Sequence, residues 1–195
     1  MKTKKVTAKK LAHTALFASL CCIATYIIAI PLPYGYLNIG DVFVLMSGWC
    51  LGALYGGIAA AVGSALADVL SGYALYAPVT FLIKGGVAAF AYMLYVVFKK
   101  CIQKESFDFL FRAAAAFIAE LWMVVGYFLF ESILYGVAGG LLSVIGNVIQ
   151  GGACLLCGTL FVTLLRNIAS VKRTFPCLCV EKIEDTQKTD KRQSN

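Results

Sequence analysis

Apolar residues run along this chain in five long blocks with short polar interruptions: Leu11–Ile30, Ile39–Val69, Ala77–Phe98, Ala113–Leu134 and Gly140–Leu165. Each reaches or exceeds the roughly 20 residues that an α-helix needs to cross a bilayer. The second block is too long for one crossing, since as a single helix it would measure about 47 Å against a hydrocarbon core of about 30 Å. Gly48, Gly52, Gly56 and Gly57 punctuate its centre, and the pattern predicts two short helices with a reversal there. A second reversal is expected near Tyr135–Gly140. The fold class is therefore an all-α polytopic membrane protein, a bundle of six transmembrane helices.

Composition excludes a soluble globule. Of 195 residues, 61% are hydrophobic and 14% charged, with a mean hydropathy of +0.83, where soluble domains carry about 25% charge. The net charge of +7 does not point to nucleic acid, because it is confined to three patches. These are Lys2, Lys4, Lys5, Lys9 and Lys10; Lys99, Lys100, Lys104 and Arg112; and Arg166, Lys172 and Arg173 with the tail through Arg192. The positive-inside bias sets all three on the cytoplasmic side, so crossings between patches are even in number and both termini are cytoplasmic. Three regions follow: a basic N-terminus (1–10), a membrane domain (11–168) and a polar cytoplasmic tail (169–195). No small-residue cleavage pattern follows Leu11–Ile30, which is read as a retained span.

Within this apolar frame, Asp41, Asp68 and Lys84 are the only charges between Gly35 and Phe98. An isolated charge near mid-bilayer costs at least ~2.5 kcal/mol, so each must be paired, wetted or used. The crossing pattern sets all three in the outer half of the membrane, together with Glu131, Asn147 and Gln150. Asn147 and Gln150 share a helical side. Glu120 lies deeper. Two outer connections flank the cluster, one from Pro31 to Asn38 containing Tyr36, the other from Ser71 to Pro78 containing Tyr73 and Tyr76. These tyrosines serve either as interfacial anchors or as a lid over a solute. Aromatic, amide and ionic groups together suit a small polar ring compound better than an inorganic ion. Lys84 is the leading candidate for ligand contact, while Asp41 and Asp68 either touch ligand or hold the mouth in shape.

Other features have plainer readings. Gly48, Gly52 and Gly56, and Gly57, Ala61 and Ala65, are small-residue stripes expected to pack spans two and three together. His13 is read as an interfacial or packing residue. The eight cysteines fall in spans or face a reducing cytoplasm, and neither Cys154/Cys157 nor Cys177/Cys179 has a histidine or acidic partner at zinc-ligand spacing. No phosphate-binding loop with its lysine and hydroxyl is present, and the halves form no clear inverted repeat of the secondary-transporter kind. A non-catalytic binding subunit energised by partners is favoured. An autonomous ion-coupled transporter and a membrane scaffold are the rivals.

Asn38-Ile-Gly-Asp41, Ser64-Ala-Leu-Ala-Asp68 and the stretch from Ser71 to Gly85 resemble the S component, the substrate-capturing subunit, of energy-coupling factor (ECF) vitamin transporters. The resemblance runs from about Leu11 to Arg166. It implies six helices, a B-type vitamin or precursor as transported ligand, no tightly required cofactor, and residence in the bacterial cytoplasmic membrane. The implied partners are a transmembrane coupling subunit and two cytoplasmic ATPases. By position, Ala8, Ala12 and Ala15 match the stripe through which the first helix meets the coupling subunit. Tyr36, Asn38, Tyr73 and Tyr76 fall in the covering loops, and Lys84 and Asn147 on the pocket wall. The expected ligands, in order, are a pyridoxine-like vitamin, the thiamine precursor hydroxymethylpyrimidine, and riboflavin.

Overall fold

The computed structural model describes residues 7–28, 30–31, 36–102 and 105–178. Four helices are long and apolar enough to span a membrane: α1 (Ala8–Ile27), α2 (Gly40–Leu70), α3 (Ala77–Cys101) and α4 (Asp108–Leu165). A short α5 (Ala169–Thr174) follows. A two-residue ribbon, β1 (Ile30–Pro31) with β2 (Tyr36–Leu37), pairs antiparallel between α1 and α2. The protein is helical and multi-pass.

Both overlong helices fold back at a glycine. Gly52 has φ 84° and ψ 174°, Gly136 φ 78° and ψ 166°, a backbone region essentially closed to residues with a Cβ. Around Gly52 the Ser47 hydroxyl donates to the Gly56 carbonyl at 3.0 Å, though the two are nine residues apart. A straight helix would hold them about 13 Å from one another. Around Gly136 a Cβ built on Gly140 would sit 2.9 Å from the Phe128 carbonyl, where an unbroken helix would separate them by about 18 Å. The two expected reversals are thus present, and each of α2 and α4 has two antiparallel arms.

The glycine stripes allow the backbones to close up, but with a different partner from the one expected for one of them. Gly56 lies against Ser47 and Gly48 of the other α2 arm, as anticipated. A Cβ on Gly57 would come within 3.2 Å of the Gly85 carbonyl, and one on Gly85 within 3.2 Å of Ala61. The Gly57/Ala61 face therefore packs on α3, because α3 completes a three-helix contact around the α2 hairpin. Gly63 seats α1, and Gly86 and Gly126 seat α3 against α4 through Trp122 and Ile83. A core of Trp49, Leu45, Val87, Ala88, Ala115 and Met123 fills the centre. Large apolar side chains such as Ile133, Leu82 and Ile27 point outward, 83%, 69% and 71% exposed. Such an apolar exterior suits lipid rather than water.

The ends of the elements sort into two groups. Lys10 lies over the Tyr55 ring at 5.4 Å, Gly52 faces Cys177, and Asp108 pairs with Arg112 and Arg166. The start of α1, the α2 turn and the end of α4 thus share one end, here termed the tail end. At the opposite, ribbon end lie β1–β2, the α2–α3 connection and the α4 turn, where the hydroxyls of Tyr76 and Tyr135 meet at 3.4 Å. Among the described residues every Lys and Arg except Lys84 belongs to segments at or near the tail end.

Two boundaries differ from expectation. The fifth span starts at Asp108 rather than Ala113, because Asp108 and Arg112, four apart on the helix, neutralise each other at 2.9 Å. Residues 169–178 are not a free polar tail: α5 folds back, Phe175 packs on His13 and Phe17 at ring distances of 4.9 and 5.8 Å, and Leu178 is buried. His13 is thus a packing residue. Cys179 and the rest of the tail lie outside the described residues.

Candidate ligand-binding cavity

At the ribbon end the helices leave a partly open cavity of about 520 Å³, walled by Thr25 of α1, Ser64 and Asp68 of α2, Thr80 and Lys84 of α3, Tyr127, Glu131, Ser143, Asn147 and Gln150 of α4, with Asn38, Tyr73 and Tyr76 from the connections. Eight of the ten residues singled out as substrate contacts stand on this wall: Asn38, Asp68, Tyr73, Tyr76, Lys84, Glu131, Asn147 and Gln150. Two do not. Asp41 is fully buried behind the wall, and the side chain of Tyr36 lies outside the described residues, although its backbone pairs with Pro31 in the ribbon.

Asp41 holds the floor together. The Lys84 ammonium donates to both its carboxylate oxygens at 2.7 Å and to Met123 Sδ at 3.0 Å. Gln150 Nε2 donates to Asp41 Oδ2 at 2.6 Å, while Gln150 Oε1 accepts the Asn38 backbone N–H at 2.9 Å. Asn38 Oδ1 in turn accepts the Gly40 N–H at 2.8 Å, at the start of α2. One connected network therefore ties the ribbon, α2, α3 and both arms of α4. An ammonium has three donors, and the three contacts of Lys84 are all with protein. Lys84 thus stands on the wall with its ammonium already engaged by Asp41 and Met123.

The mouth is aromatic. Tyr76 sits edge-on to Tyr73 and to Phe130 at centroid distances of 6.1 and 5.3 Å. Proline in the first turn of α3 preorganises the chain as it leaves this connection. Thr80 and Tyr127 hydroxyls meet at 3.0 Å on the wall. Ser64 Oγ and Glu131 Oε2, both buried and facing the cavity, have no hydrogen-bond partner among the described residues. Glu120 lies outside the wall, packed against Gly151, with both oxygens buried and without a hydrogen-bond partner among the described residues.

Five wall residues escaped sequence reasoning: Thr25, Ser64, Thr80, Tyr127 and Ser143. Four of them stand one helical turn before a residue that was found, in the pairs Ser64/Asp68, Thr80/Lys84, Tyr127/Glu131 and Ser143/Asn147. The i, i+4 relation puts each pair on one face, so an extra turn of reading from each of these charged or amide residues would have found them. Thr25 carries no such signal.

Ala8, Ala12 and Ala15 are exposed along α1, with Leu11 between the first two and Leu16 directly after the third. None of the three stands on the cavity wall.

A membrane-embedded helical bundle with a polar, tyrosine-rimmed cavity is the class of protein that fold and geometry define. The family model described as "ECF-type riboflavin transporter, S component" matches residues 5–167. The chain belongs to this family. It is 30% identical over 138 residues to the "Uncharacterized protein in gap 3'region" of Pyrococcus woesei, covering 70% of this chain and 87% of that protein. A solved structure described as "Structure and mechanism of the S component of a bacterial ECF transporter" superposes with a TM-score of 0.63 at 21% identity, covering 82% of this chain and 96% of that one. At that identity the likeness carries the fold alone.

Proposed function

We propose that this protein is the substrate-capturing subunit of an ECF-type importer, taking a ring-bearing vitamin into the ribbon-end cavity. Both arms of α2 and of α4 cross the membrane, giving six crossings with both ends in the cytoplasm. The clustering of basic residues towards the tail end supports that orientation. The cavity then opens outward. The observation that carries the reading is this polar, tyrosine-rimmed cavity, concave and lined by convergent polar groups as small-molecule sites are, in a chain of the S-component family.

Riboflavin is the first ligand of choice, because it is the vitamin the matched family is described by. That reverses the order suggested by the sequence. A smaller ring such as pyridoxine or hydroxymethylpyrimidine is the second reading, and the unpartnered Glu131 oxygen suits a donor on any of the three. Wall residues Asn38, Asp68, Tyr73, Tyr76, Glu131 and Asn147 are the proposed contacts, with Asp41, Lys84 and Gln150 holding them in place. The protein itself hydrolyses nothing. A transmembrane coupling subunit and two ATPases supply the energy, and the small exposed residues Ala8, Ala12 and Ala15 offer a smooth face for close helix approach.

Native mass spectrometry of gently purified protein, followed by fluorescence titration with riboflavin, tests the reading. A retained vitamin mass, or saturable binding without ATP, is expected. Absence of both for riboflavin, pyridoxine and hydroxymethylpyrimidine would overturn it. Uptake driven by an imposed ion gradient, with this chain alone in proteoliposomes, would remove the need for ATPase partners.

A further inference from the structure

The cavity wall has a lopsided charge. Two carboxyl side chains line it, Asp68 and Glu131, and the single cationic side chain on it is Lys84. That cation is matched by Asp41, a third carboxylate directly behind it. No arginine or histidine stands on the wall. A ligand entering this space therefore meets the Glu131 carboxylate and further acceptors, while the one cation on the wall, Lys84, is already committed to Asp41.

The orphaned atoms indicate where a ligand would complete the wall. Glu131 is 3% exposed and Ser64 1% exposed, and Glu131 Oε2 and Ser64 Oγ have no hydrogen-bond partner among the described residues. A carboxylate oxygen accepts hydrogen bonds, and a buried one without a donor is costly, more so where water is scarce. The two atoms sit on different helices, Ser64 on the second arm of α2 and Glu131 on the first arm of α4. Groups on two sides of one cavity lack partners that a bound molecule can provide.

We infer that the cavity selects the unphosphorylated form of its ring ligand, binding an N–H or O–H donor of the ligand at Glu131 and rejecting phosphate esters of the same ring. The inference rests on the vitamin-binding reading and deepens it. Glu131 acts as the specificity-determining residue: it accepts from a donor, repels a phosphate, and leaves the Asp41–Lys84 pair undisturbed. A phosphate in the cavity would have to take Lys84 from Asp41, leaving that carboxylate buried and unpaired.

The experiment compares matched pairs on purified full-length protein: riboflavin with its 5′-phosphate, pyridoxine with its 5′-phosphate, and hydroxymethylpyrimidine with its monophosphate. Juxtaposing like charges in a desolvated site is strongly unfavourable, so the ester of whichever ring binds is expected to be at least about a hundredfold weaker. Glu131→Gln keeps the side-chain size and removes the charge; it should shrink that ratio by about tenfold or more while weakening the parent vitamin. An ester that binds within about threefold of its parent overturns the inference and leaves vitamin capture standing. So does a ratio unchanged in Glu131→Gln. Failure of all six compounds to bind instead overturns the vitamin-binding reading itself, and this inference with it.

Discussion

Two buried ionic clusters sit at opposite ends of this bundle, built from similar residues and arranged to opposite effect. At the tail end Asp108 accepts from the Tyr95 hydroxyl at 2.6 Å and from Arg112 Nε at 2.9 Å, and pairs with Arg166. Arg112 donates to Tyr95 at 2.9 Å and to the Leu178 carbonyl at 2.7 Å, with its guanidinium 3.9 Å from the Tyr95 ring centroid. These groups are turned on one another and on a backbone segment. At the ribbon end Asp41, Lys84 and Gln150 satisfy each other just as closely, but the next layer outward, Ser64 and Glu131, faces open space with unused acceptors. One cluster is a staple that pins the C-terminal segment onto the bundle. The other is a staple beneath a site, and what separates them is the neighbouring space: Arg112 Nη1 also lacks a partner among the described residues but lies under the Leu178 segment, whereas Ser64 and Glu131 border a cavity.

That contrast can be broken by substitution. The largest effect is expected for Lys84→Met, which strands Asp41 in the core: about 3–5 kcal/mol of stability should go, read as a lowered thermal midpoint in detergent, and ligand capture with it. Adding Asp41→Leu to that variant removes the stranded charge and should recover most of the stability, since apolar replacement of a buried pair is often near neutral. Binding would remain weak, because Gln150 loses its anchor.

Arg112→Met is expected to cost about as much in stability, again roughly 3–5 kcal/mol, but to leave the vitamin dissociation constant of the folded fraction within about twofold of wild type. A large change in affinity from this variant would mean that the two clusters are coupled. Leu178→Ala retains the carbonyl that Arg112 uses and empties a buried position; a loss of about 2–3 kcal/mol is expected, with increased proteolysis after Thr174 as an independent readout. The smallest effect belongs to Thr80→Val, which removes the hydroxyl contact with Tyr127 for about 1 kcal/mol and should weaken vitamin binding a few-fold by isothermal titration, sharpening the assignment of that wall.

Much of the fold was legible because membrane segments obey few rules. Hydropathy gave the spans, and glycine placement in the overlong block gave the Gly52 reversal, since only glycine tolerates that backbone. The start of α4 was misjudged by a few residues because Asp108 and Arg112 looked like a hydrophilic boundary; as an i, i+4 pair they are a neutral unit that a helix can carry inward. The docked segment around Phe175 and Leu178 was hidden for a different reason. A handful of apolar residues in a polar stretch has no period, and whether they bury depends on a groove formed by α1 and the α2 turn.

The site divides along the same line. Sequence alone could determine that Asp41, Asp68, Lys84, Glu131, Asn147 and Gln150 belong near one end of the bundle, because a charge in an apolar run has few affordable positions and crossing number sets its depth. It could not determine which of them face the ligand space. Depth is a property of one helix, whereas facing a cavity depends on how helices rotate against each other. Only tertiary packing decided that Asp41 turns behind the wall to hold Lys84, and that Ser64 and Glu131 are left with acceptors to offer.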